Sequence, residues 1–118
     1  MSKQEAIMSF SQSEKIKSGL IWISHVISVA NGLPEPEKQG AEMVVKMITG
    51  MVLQEIGLAK KLTGDPAWEG IEKDIDQGMV MINSGVAMES VVHLTRALSK
   101  VTNIGQRSMS YLKDQGLL

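Results

Sequence analysis

The chain contains no cysteine, which removes disulfides, thiol nucleophiles and thiolate metal sites from its possible chemistry. Aromatic residues make up only 3% of it: Phe10, Trp22, Trp68 and Tyr111. Rings this isolated give no platform for successive bases, which argues against single-strand nucleic-acid recognition. An excess of charge of either sign is missing too. The 12 basic and 13 acidic residues leave a net charge of −1. That balance supplies no basic field for sequence-independent binding to nucleic acid or anionic lipid, so neither partner is expected. The greasiest run, Leu20 to Ala30, is interrupted by Ser24, His25 and Ser28. It falls short of the ~20 apolar residues that span a bilayer. The opening MSKQEAIMSF has no apolar core of signal-peptide length, and the expected compartment is the cytoplasm. Period-two alternation bounded by hairpin turns is absent as well, so no strand is expected.

What is present is helical periodicity. A length of 118 residues with 43% hydrophobic content suits one domain that buries about two-thirds of its unfolded surface. The central stretch, residues 37 to 63, is fenced by Pro34 and Pro36 in front and by Gly64, Asp65 and Pro66 behind. Within it Ala41, Val44, Val45, Ile48, Val52, Ile56, Ala59 and Leu62 fill about half a helical wheel at ~100° per residue, with Met47, Met51 and Leu58 at one edge. An arc that wide implies packing against two or more neighbours. Gly50 and Gly57 lie on the opposite side, one heptad apart. An interior helical glycine costs ~1 kcal/mol relative to alanine. Either tertiary packing tolerates the pair, or a second backbone or bulky group approaches where the side chain is missing.

A first helix is expected over residues 12 to 31, opened by the capping-box pair Ser11 and Glu14, with Ile16, Leu20, Ile23, Ile27 and Ala30 as its stripe. Ile7 and Phe10 are out of phase with that stripe. Residues 1 to 10 therefore read as a short helical arm, loosely attached or docked on a partner, with Ser2 and Glu5 as a further capping-box match. A third helix is expected over 66 to 82, capped by Asp65, with Trp68, Ile71, Ile75, Met79, Ile82 and Val86 in line. From Ala87 the apolar line shifts phase to Val91, Leu94, Leu98, Val101, Met109 and Leu112, so Asn83-Ser84-Gly85 predicts a break before a fourth helix over 86 to 114. The fold expected is an all-α, antiparallel four-helix bundle. The alternative is three helices, the last one long and bent over 66 to 114, in an exchanged dimer.

Chemistry finds little to work with. Neither His25 nor His93 follows a glutamate at the Glu-x-x-His spacing of di-iron bundles, and Glu89 with His93 makes two ligands rather than a closed site. The acidic edge Glu69, Glu72, Asp76 lacks both a second set of carboxylates and a phosphate-binding loop, and reads first as a solvated face. Met43, Met47 and Met51 could offer thioethers to copper, but flexible packing or a groove for a partner helix explains them more simply. No Gly-x-Ser-x-Gly elbow is present. No metal and no cofactor is therefore expected.

Glu55, inside the apolar arc, is the candidate buried polar group. It is either tied to a neighbouring helix or tuned for chemistry in a pocket. On the last helix Arg96, Lys100 and Arg107 share a face, set either against the acidic third helix or toward an acidic partner. The function expected is that of a non-catalytic interaction protein, a small subunit, adaptor or chaperone that forms a homodimer and binds a protein partner. Its expected interface residues are Gly50, Gly57, Met43, Met47, Arg96, Lys100 and Arg107. The competing expectation is a ligand-binding or hydrolytic bundle with a pocket around Glu55.

Overall fold

A computed structural model describes all 118 residues as four antiparallel helices: α1 (Lys3–Asn31), α2 (Glu35–Thr63), α3 (Ala67–Asn83) and α4 (Val91–Asp114), the last preceded by a 3-10 turn over Ala87–Ser90. α1 packs against α2 and α4, and α3 against α4 and α2, so α1 and α3 stand diagonally across the bundle. The whole is a rod of 52 × 22 × 19 Å. Its length follows from the 29-residue helices α1 and α2, at about 1.5 Å of rise per residue. No helix is long and apolar enough to cross a membrane.

The stops and starts follow the local chemistry. Gly64 ends α2 in the left-handed conformation at φ 63°, which a side chain would strain, and donates to the Lys60 carbonyl. Asp65 then accepts from the Ala67 amide at 2.9 Å and opens α3. The break expected at residues 83 to 85 is present: α3 ends at Asn83, Ser84 caps it, and Gly85 turns the chain at φ 81°. The bent three-helix alternative is thereby excluded for this chain.

The N-terminal segment departs from expectation. α1 begins at Lys3 rather than residue 12, with Ser2 accepting from the Glu5 amide at 3.0 Å. Residues 3 to 10 are the opening turns of α1, not a separate arm, and Ser11 lies within the helix. The buried positions here are Ala6, Ser9, Gln12 and Ser13, small or polar side chains that an apolar wheel does not register. Small residues let α1 approach α4 closely: a Cβ built on Gly105 would stand 2.9 Å from Ser13 Oγ.

The core is one cluster. Ile16, Leu20, Ile23 and Ile27 of α1 meet Val45, Val52 and Ile56 of α2, Trp68, Ile71 and Ile75 of α3, and Leu94, Val101 and Ile104 of α4. Full burial of each such side chain is worth about 1.5–3 kcal/mol before conformational entropy is charged.

Candidate functional site

α2 has two apolar faces. The inner one (Val45, Thr49, Val52, Ile56, Ala59 and Thr63) is buried against α1 and α3. The outer one is open. Met43 and Met47 are each 68% exposed, Met51 59%, and Val44, Leu58 and Leu62 also stand in solvent. The arc read from sequence is thus wider than the face the bundle covers. Val44 and Leu62, expected inside, lie at its uncovered edge.

The outer face has a heptad rhythm. Val44, Met51 and Leu58 recur every seven residues, and the line between them runs from apolar Met47 to polar Gln54 and Lys61. Those are the a and d positions of a helix that faces another helix along its length. Met43, Gly50 and Gly57 follow on one flank at the same interval. A Cβ built on Gly50 or Gly57 meets nothing within 4 Å, so no group of this chain requires either glycine. Four of the expected interface residues, Gly50, Gly57, Met43 and Met47, therefore lie together on this face.

The other three lie elsewhere. Arg96 and Lys100 of α4 reach across to Asp74 of α3 at 3.9 and 2.7 Å, and Arg107 reaches Asp65 at 3.6 Å. Asp74 is buried and its ion-pair partners are half-exposed. The basic row thus ties α4 to α3 and to the turn that precedes it, and a carboxylate out of water is tolerable because it is paired.

At the open edge between α2 and α1 lies a groove of about 210 Å³, walled by Trp22, Ile48 and Met51, with Gln54 and Glu55 at one end. Trp22, absent from the expected interface set, is 61% exposed, and its ring extends the methionine surface onto α1. Its place on the flank of the α1 stripe, four residues from Val26 and three from Gly19, was the available sequence signal.

Glu55 corrects the expectation of a buried carboxylate. Its side chain is 33% exposed, accepts from Gln12 Nε2 at 3.0 Å, and pairs with Lys15 Nζ at 3.5 Å. Gln12 also donates to the Glu55 backbone carbonyl. The Gln12 hydrogen bond, assisted by Lys15 against a smaller opposing effect of partial burial, holds the Glu55 carboxyl below its ordinary range. A carboxylate held ionised in this way is a weak base at neutral pH and an anchor between α1 and α2.

No three of the His, Asp and Glu side chains converge as a metal site would require; Glu89 and His93 acquire no third ligand. Compared with models of known families, with characterised proteins and with solved structures, the chain matches none.

Proposed function

We propose that this is a non-catalytic helical interaction protein, a small subunit, adaptor or chaperone, that works in the cytoplasm by self-association and partner binding through the outer face of α2. One observation carries the reading: a helix whose inner face is buried in the core also presents Val44, Met47, Met51 and Leu58, at a and d spacing, to solvent. Met43, Val44, Met47, Met51, Leu58 and Leu62 of α2 are joined by Trp22 as exposed large apolar side chains on this side of the bundle, the kind of grouping that marks an interaction site. Methionine suits such a face, because an unbranched thioether chain adapts to the surface it meets. Light scattering tests the reading with Gly50→Leu and Gly57→Leu. Both positions have room in the monomer, so helicity should hold while assembly weakens. Assembly indifferent to both changes counts against a contact along the glycine flank.

A second reading, a small-ligand bundle around Glu55, is favoured by the groove beside Trp22. Its volume of about 210 Å³ is below the ~300–1,000 Å³ of most ligand pockets, and its one carboxylate is occupied by Gln12 and Lys15. Native mass spectrometry separates the two readings: a dimer without retained ligand supports the first, a monomer with a bound small molecule the second.

A further inference from the structure

Resting on the reading of α2 as a contact face, we infer that its partner there is a second copy of this chain, with the two α2 helices antiparallel about a two-fold axis beside Gly50. Charge selects the orientation. Lys61 and Glu37 occupy seam positions near opposite ends of α2, and neither has an ion-pair partner within the chain. Antiparallel packing brings Lys61 of each copy to Glu37 of the other and opposes the helix dipoles. Parallel packing stacks Lys61 on its own equivalent, and Glu37 likewise.

The same register fits the side chains by size. Met47 lies opposite Met51 of the second copy, and Val44 lies against the aliphatic stem of Gln54. Leu58 faces Gly40, where a Cβ would meet nothing within 4 Å. On the flank, Gly50 meets its own equivalent at the axis and Met43 covers Gly57, so each missing side chain leaves room for the approaching helix. Sliding one helix by a heptad in one direction puts Lys61 onto Val44, and in the other carries Lys61 past the start of the facing α2 and sets Glu37 against Gln54, so only this alignment pairs Lys61 with Glu37.

The absence of cysteine makes the test direct. Gln39 is exposed and off the seam. A nitroxide carried on Gln39→Cys reads its distance to the equivalent label by pulsed electron resonance. The antiparallel register separates the two by about 30 Å along the axis, for a label distance of roughly 30–40 Å; parallel packing brings them below about 20 Å. In parallel, Lys61→Glu should weaken dimerisation by about 2- to 10-fold, and adding Glu37→Lys should restore it. The long distance together with the restored affinity is the expected result. A dimer with the short distance, or one that the double charge reversal does not rescue, overturns the antiparallel register and leaves the contact face standing. A chain monomeric at every concentration overturns the second copy as occupant and leaves the face to an unrelated helix. A dimer that survives Met47→Lys with Met51→Lys overturns the reading of this face itself.

Discussion

Val52 of α2 leaves no room for a side chain at position 19 of α1: a Cβ built on Gly19 would stand 2.7 Å from Val52 Cγ2. Val52 is buried and its branched side chain has essentially one rotamer in a helix, so it cannot swing aside. Gly19→Ala should therefore destabilise the bundle by about 1–3 kcal/mol. Gly50→Ala enters open space in a helix interior, and should stabilise the monomer by about 0.5–1 kcal/mol. Urea denaturation of the two variants, each carried in the Met47→Lys, Met51→Lys background so that the single chain is measured, checks the contrast. Equal effects of the same sign would contradict the helix spacing described for α1 and α2.

Acid should loosen the α1–α2 seam at Glu55. Its carboxyl is held below the ordinary value of 4.5 first by the hydrogen bond from Gln12 and then by Lys15. A depressed folded value means the contribution is complete above the unfolded value and is lost as pH falls through the folded one. In Gln12→Ala the Glu55 midpoint should rise toward 4.5, and the loss of stability between neutral pH and about pH 3 should become shallower. A carboxyl-detected NMR titration follows the group itself. A Glu55 midpoint above the ordinary range in the unaltered protein would contradict the geometry at Gln12.

Much of the fold was legible because large apolar residues carry the periodicity. Ile16, Leu20, Ile23 and Ile27 are buried as their spacing predicts, as are Trp68, Ile71, Ile75 and Ile82 on α3. The phase shift near Ala87 located the break at residues 83 to 85. Ser2 and Glu5 marked the cap of α1, but its continuity through residues 3 to 13 was not legible, because the buried side chains there, Ala6, Ser9, Gln12 and Ser13, are small or hydrogen-bonding rather than apolar and large. Partners across the bundle were also hidden. Gln12 and Glu55 are 43 residues apart, and nothing local marks Asp74, among the acidic residues of α3, as the buried one. The open face of α2 was half visible. Glycines and methionines stood out, but only the packed bundle separates an apolar residue that is covered, such as Val45, from its uncovered neighbour Val44.

The central claim is that the outer face of α2 is a contact surface between two copies of this chain. Sedimentation equilibrium of the unaltered protein beside a Met47→Lys, Met51→Lys variant tests it most directly. Both methionines are more than half exposed, so the variant should keep the same helical circular dichroism. The account predicts a particle of twice the 12.8 kDa chain mass for the unaltered protein and a single chain for the variant. An unaltered protein that remains a single chain at concentrations of a few hundred micromolar, or a dimer indifferent to both lysines, would contradict it.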